Sequence, residues 1–265
     1  MKIDEKITIY YFSATGNSLK LAMDIASHFE KPEVLRIGKL IPDKHPQGKM
    51  VGFVFPVYMG GIPKIVSKFL QDFPFQKNNY YFSLGTYYMY KGSTLSVVNK
   101  ILTDRGVRLN YAAYLPSVGN CLMEYEVPQK KREQIYLRSE KVAARIISDI
   151  KQKTEKSPSG YCRLSDKIHK KLYAVFFDDA HKKFSLENHC IGCGICEKIC
   201  PVNNISLKNN SPQWSANCEA CHACVHGCPQ NAIHLGKSKG RLQYRNPHIK
   251  RSMLLTQVSQ AKLLQ

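Results

Sequence analysis

Over the first 150 residues, short unbroken apolar runs alternate with longer stretches in which apolar residues recur every three or four positions. Residues 6–12 (KITIYYF) are β-branched and aromatic throughout, the pattern of a strand buried on both faces of a parallel sheet. Residues 34–37, 51–57, 80–85 and 110–115 read as four more strands. Between them, Leu19, Ala22, Met23, Ala26 and Phe29 recur at helical spacing. A second helix runs from Pro63, its first residue, to about Asp72. Residues 94–105 form a third, and 130–152 a long last one with Ile135, Val142, Ile146 and Ile150 on one stripe. This alternation predicts an α/β fold: a doubly wound, five-stranded parallel sheet with its ligand crevice at the carboxyl ends of the strands.

Three loops converge on that crevice. The first strand runs into Ser13-Ala14-Thr15-Gly16-Asn17-Ser18, directly ahead of the first helix. A hydroxyl-rich loop with a glycine at a helix start is a phosphate cradle, in which N–H groups and hydroxyls point at the anion. The lysine of a nucleoside triphosphatase loop is missing, and so is the GxGxxG of a dinucleotide site. Ser13, Thr15, Gly16, Asn17 and Ser18 are therefore candidates to hold a phosphate. Pro56, Val57, Tyr58, Met59, Gly60 and Gly61 follow the third strand, and Thr86, Tyr87 and Tyr88 the fourth. These are candidates for a flat ring, with Tyr58 the first choice for stacking and Tyr87 and Tyr88 next.

The second half is governed by cysteine spacing. Cys190, Cys193, Cys196 and Cys200 precede Pro201, and Cys218, Cys221, Cys224 and Cys228 precede Pro229. Each run is C-x2-C-x2-C-x3-C-P, the spacing that holds [4Fe–4S] cubes in two-cluster ferredoxins. The copies lie 28 positions apart, and Asn203, Ile205 and Leu207 align with Asn231, Ile233 and Leu235, as in a duplicated half-domain. In that pattern the fourth cysteine of each run serves the other cube. One cube is thus expected on Cys190, Cys193, Cys196 and Cys228, and the other on Cys218, Cys221, Cys224 and Cys200. Zinc favours longer spacers between CxxC pairs, and a disulfide framework does not suit a chain able to bury a core. The single tryptophan, Trp214, stands four residues before Cys218 and is expected to shield the second cube from water.

The formal charge is +19 over 265 residues. Ligating thiolates, cube cores and a bound phosphate lower it to about +13. A basic surface favours an acidic redox partner. The lysines are dispersed and no nucleic-acid motif is present, which disfavours nucleic acid. No apolar run reaches the roughly 18 residues of a membrane span. The opening MKIDEKITIYYFS lacks the build of a signal peptide, so a cytoplasmic, reducing or anaerobic setting is expected.

The first loop is similar to the flavodoxin phosphate loop T-x-T-G-N-T, with serine at both ends. Y-F-S-A-T-G-N-S at 11–18, P-V-Y at 56–58, C-I-G-C-G-I-C at 190–196, the second cysteine run and R-L-Q-Y-R-N-P-H-I at 241–249 extend the likeness. Nearly the whole chain resembles fusions of a flavodoxin-like domain with a bacterial two-[4Fe–4S] ferredoxin domain. The resemblance implies noncovalent FMN, two [4Fe–4S] clusters and electron transfer.

The expected organisation is a flavodoxin-like FMN-binding domain at 1–152, a linker and connecting helix at 153–183, a smaller α+β ferredoxin domain at 184–250 and a tail at 251–265. In the connecting segment, Leu164, Ile168, Leu172, Val175 and Phe176 recur at helical spacing and are expected to dock on the domains. Cys121 and Cys162 stand outside the runs as ordinary thiols. The leading expectation is an electron carrier relaying electrons between FMN, two clusters and a redox protein. The alternative is an FMN-dependent reductase of a small organic substrate with the clusters as internal electron supply; no acid is clearly marked over the ring, and the tyrosines near 87 to 90 leave it open. A redox sensor is disfavoured by the lack of a DNA-binding module.

Overall fold

The computed structural model describes residues 2–38, 46, 48–158, 160, 161 and 163–255. In chain order the first half comprises β1 (Ile3–Tyr11), α1 (Asn17–Ala26), β2 (Phe29–Arg36), β3 (Met50–Pro56), α2 (Lys64–Asp72), β4 (Tyr80–Tyr87), α3 (Thr94–Asp104), β5 (Tyr111–Pro116) and α4 (Gln129–Lys151). The five strands pair in parallel in the order β2-β1-β3-β4-β5, the flavodoxin-like order. The order reverses between β1 and β3, so the loops leaving those two strands flank the switch point.

Alternation along the strands feeds two layers. Ile7, Ile9 and Tyr11 of β1 and Val54 of β3 face one side, where Leu19, Ala22 and Ile25 of α1 and Ile146 and Ile150 of α4 cover them. Tyr10, Phe53 and Phe55 face the other side, beneath Val66, Phe69 and Leu70 of α2 and Leu95, Val98 and Leu102 of α3. Tyr10, Phe53, Phe69, Phe73, Phe75 and Tyr81 form one aromatic cluster there. Each fully buried ring of this kind contributes roughly 2–3 kcal/mol. Gly52 makes the packing possible, because a Cβ there would lie 2.1 Å from the Phe82 ring.

Two boundaries differ from the sequence expectation. Phe29 opens β2 and is not on the face of α1, and β2 carries Pro32 in its interior. An edge strand tolerates a proline that a central strand would reject. Pro63, with ψ of 143°, is the residue before α2 and not its first turn.

The second half contains α5 (Arg163–Phe177), β6 (Phe184–Leu186), α6 (Ile195–Ile199), β7 (Ile205–Lys208), β8 (Ser211–Trp214), α7 (Ala223–Gly227), β9 (Ile233–Leu235) and α8 (Arg251–Leu255). β6 pairs antiparallel with β9, and β7 with β8. The 28-residue repeat is written into the backbone. Positive φ occurs at Gly192 and Ala220, at Gly194 and His222, and at Asn203 and Asn231. Each pair is one repeat apart, although alanine and histidine avoid this conformation.

The halves share one core that joins Tyr11, Leu19 and Val54 to Ile199, Val225 and Ile249. At its edge the buried Arg36 guanidinium donates to Leu254 O at 2.7 Å and to Ile199 O at 2.9 Å. α5 crosses the junction in an orientation opposite to expectation. Asp166, Tyr173 and Phe177 turn inward, whereas Leu164, Ile168, Leu172 and Val175 face solvent. The stripe expected to dock is exposed because aromatic and polar residues on the opposite face hold the helix. The side chain of Phe176 and all of Cys162 lie outside the described residues, as does the tail from 256 onward. Among the described residues no helix is long and apolar enough to cross a membrane.

Candidate functional site

The carboxyl ends of β1, β3, β4 and β5 enclose a crevice of about 50 Å³. Ser13, Thr15, Asn17 and Ser18 form its floor, Pro56, Val57 and Tyr58 one wall, and Thr86, Tyr87 and Tyr88 the other. Gly16 turns the loop with φ of 99°. Its N–H donates to Ser13 Oγ at 3.0 Å, and the Ser18 and Thr86 hydroxyls meet at 2.9 Å. Three expected residues stand away from the crevice wall. Met59 is exposed, Gly60 packs against Tyr90, and Gly61 packs against His169.

Sequence reasoning missed two contributors. One is the loop after β5, where Ser117, Val118, Gly119, Asn120 and Tyr125 line the crevice. Its place at the carboxyl end of a fifth parallel strand was the available signal. The other is the segment at 244–249, which straps the phosphate loop from behind. Asn246 N–H donates to Thr15 O at 2.8 Å, and Tyr244 Oη to Asn17 Oδ1 at 2.7 Å. Ile249 lies so close to Gly16 that a Cβ there would sit 2.9 Å from it.

The hydroxyls and the helix start fit a phosphate monoester, and the crevice volume suits a group of that size. A three-ring system needs a pocket of roughly 300 Å³ or more. The rings of Tyr88 and Tyr125, 5.1 Å apart over Gly119, close the space above the floor. They and the 117–120 loop must part to admit a flavin.

The cysteines form two groups. Cys228 lies with Cys193 and Cys196, while Cys200 lies with Cys218, Cys221 and Cys224. The second group, Cys200 included, rings a small cavity of about 20 Å³ with Trp214, Phe184 and Asn204. Phe184 stacks on Trp214 at 4.6 Å along the wall of that cavity. Backbone N–H groups of Asn204, Ala220 and Ala232 donate to the sulfurs of Cys200, Cys218 and Cys228 at 3.2–3.4 Å. Burial pushes the thiols of Cys196 and Cys218 up to about 11, and that of Cys224 well above its usual range. Only a strong local cation makes thiolates favourable there. Among the described residues no three ligating side chains converge on a point the size of one ion.

Orphaned polar atoms mark the same cavity. Both polar side-chain atoms of Asn204 are buried without a protein partner, while the Trp214 indole nitrogen is directed at the Cys224 sulfur. An unmet buried donor costs about 1–3 kcal/mol, so a cluster presenting sulfur acceptors fits the Asn204 amide nitrogen on this wall. Asn204 occupies the position where the second repeat has Ala232, a contrast visible once the runs are aligned.

Tyr58 joins the two sites. It lines the crevice, sits edge-on to Phe12 at 6.1 Å, and carries a buried, unpartnered hydroxyl in the surroundings of Cys221 and Tyr173. Behind it Tyr173 Oη donates to Glu219 O at 3.3 Å. Burial pushes the Glu219 carboxyl up to about 7. On the other flank, His226 donates through Nε2 to Asn120 O at 2.8 Å and accepts from Tyr244 N–H at 3.0 Å. The cysteine-bearing half thereby positions the crevice loop. Cys121 is largely enclosed, with its thiol pushed up to about 11.

Residues 189–233 match the family model for the 4Fe–4S dicluster domain. The smaller half is a 4Fe–4S ferredoxin domain. A stretch of 76 residues, 28% of the chain, is 38% identical to a subunit of the ion-translocating oxidoreductase complex of Methanosarcina acetivorans. It spans 28% of that relative, so the likeness does not extend to the whole relative. Solved structures similar to the chain include a flavodoxin of Streptococcus pneumoniae TIGR4, 13% identical over 53% of this chain and 99% of that one, with a TM-score of 0.37. The Trp repressor binding protein of Bacillus subtilis is 15% identical over 53% and 98%, at 0.39. The rubredoxin oxygen:oxidoreductase of Desulfovibrio gigas is 17% identical over 56% and 38%, at 0.36. Scores this low carry no argument, and the flavodoxin-like assignment rests on strand order. The ferredoxin domain is therefore fused, through a shared core, to a sheet of that order.

Proposed function

We propose that this protein is an electron-transfer iron–sulfur flavoprotein that relays electrons between FMN and two [4Fe–4S] clusters and exchanges them with an acidic redox protein. FMN would supply exchange between one- and two-electron traffic. Ser13, Thr15, Asn17 and Ser18 would hold its phosphate, with Gly16 shaping the turn. Val57, Tyr58, Thr86, Tyr87 and Tyr88 would flank its ring. Cys190, Cys193, Cys196 and Cys228 would hold one cluster, and Cys218, Cys221, Cys224 and Cys200 the other.

The observation that carries the relay is Tyr58, one side chain that lines the crevice and has its buried hydroxyl in the surroundings of Cys221 of the second group. A buried group between the two sites keeps their separation short, which favours electron transfer between them. Among the described residues lining the crevice there are hydroxyls and amides but no carboxyl and no imidazole. A reductase reading would therefore have to take its acid from the tyrosines, Tyr58, Tyr87, Tyr88 or Tyr125.

Anaerobic purification with iron, sulfide and flavin quantified per chain tests the reading, with about eight irons and one FMN expected. Stopped-flow reduction should then show cluster bleaching followed by flavin bleaching. Four irons, zinc, or a flavin that stays oxidised while the clusters are reduced would overturn it.

A further inference from the structure

The exposed face of α5 combines apolar surface with positive charge. Leu164 and Val175 keep 66% and 70% of their surface, and Ile168 and Leu172 about half. On the helical wheel these four fall within one stripe, and Arg163, Lys167 and Lys171, all exposed, run along one side of it. A helix normally turns such a stripe to the core, so its outward placement points to an interaction surface. Neighbouring loops extend it. Met59 is bonded through its carbonyl to His169 at 3.1 Å, Tyr90 covers Gly60, and Met59, Met89 and Tyr90 are themselves exposed. Seven of the ten large apolar side chains left exposed among the described residues thus belong to α5 and the two loop tips.

The inner face of the same helix reaches toward both candidate centres. His169 meets the loop after β3, and Tyr173 bonds Glu219 within the second cysteine run. A body seated on the outer face is separated from those contacts by one helix, roughly 10 Å across.

We propose that the outer face of α5, with Met59 and Tyr90 at its edge, is the docking surface for an acidic redox protein, which exchanges electrons through Tyr173 and Tyr58. This rests on the electron-transfer reading above and adds the surface to it. An apolar centre bordered by charge is the usual build of a protein interface. The basic border and the formal charge of +19 select an acidic occupant and steer its approach. A second copy of this chain would set the same lysines against one another, and an anionic membrane has no need of contact with the redox centres.

The test uses the reconstituted holoprotein and an acidic two-[4Fe–4S] ferredoxin, reduced, in stopped flow. The pair Lys167→Glu with Lys171→Glu should lower the second-order rate constant at low salt about tenfold or more and flatten its salt dependence. Leu164→Ser with Ile168→Ser should slow the reaction at every salt concentration. Lys77→Glu with Lys141→Glu, the same charge change on exposed positions away from α5, should stay within about twofold of the parent. Dithionite needs no docking surface and should reduce every variant at the parent's rate. Equal ferredoxin rates in all variants overturn the docking surface. So does flotation with phosphatidylglycerol–phosphatidylcholine vesicles that is lost in the α5 variants while ferredoxin rates hold. A flavin that dithionite-reduced clusters do not reduce overturns the underlying reading instead.

Discussion

Crossed ligation makes a prediction that runs against chain order. Cys228→Ser, a change in the second run, should remove the cube of the first run, taking iron from about eight to about four per chain. Cys200→Ser should remove the other. Iron counts cannot say which cube survives, but Asn204 can. Its unpartnered side chain lines the cavity ringed by Cys200, Cys218, Cys221 and Cys224. A hydrogen bond to a charged group is worth about 1.5–3 kcal/mol against about 0.5–1.5 kcal/mol for one between neutral groups, so one unit of charge changes it by about 1 kcal/mol. For a one-electron couple this corresponds to roughly 40 mV. Adding Asn204→Ala to Cys228→Ser should therefore lower the surviving cluster's potential by about 40 mV in an EPR-monitored redox titration. Adding it to Cys200→Ser should leave the potential unchanged. The reverse pattern refutes crossed ligation, and equal shifts in both backgrounds refute the placement of Asn204 at one cluster only.

Three further outcomes are expected. Arg36→Met leaves two carbonyls without their charged donor and should destabilise the protein by about 3 kcal/mol in anaerobic urea unfolding; a loss under about 1 kcal/mol would mean the clamp is incidental. Gly16→Ala places a Cβ against Ile249 at a residue with φ of 99° and should weaken FMN about tenfold in a flavin-fluorescence titration, whereas parental affinity would remove the strap from the phosphate site. With its thiol pushed up to about 11, Cys121 has a thiolate fraction near one in a thousand at pH 8. Its alkylation by iodoacetamide, followed by peptide mapping, should rise about tenfold per pH unit up to that value, and rapid labelling at pH 8 would contradict its enclosure.

Strands buried on both faces announce themselves by continuous apolar residues, which is why residues 6–12 and 51–57 could be read as strands. Cysteine runs are equally plain, because chemistry fixes their spacing. Helical periodicity names a stripe but not what covers it, so Leu164, Ile168, Leu172 and Val175 looked like a docking face although Tyr173 and Phe177 hold the helix from the other side. Phe29 fitted the period of α1 only because the chain turns into β2 there. The strap of Tyr244, Asn246 and Ile249 has no periodic signal, since it acts on residues more than 200 positions away. The role of Asn204 shows only when the repeats are compared position by position.

That strap has a consequence for biosynthesis. A nascent chain exposes the phosphate loop to solvent long before Tyr244 and Asn246 emerge from the ribosome. The early product has a finished sheet but an unbraced ligand cradle, and only residues made much later complete it. Excising the first half as a stand-alone unit would therefore yield a body whose ligand cradle has lost its rear wall.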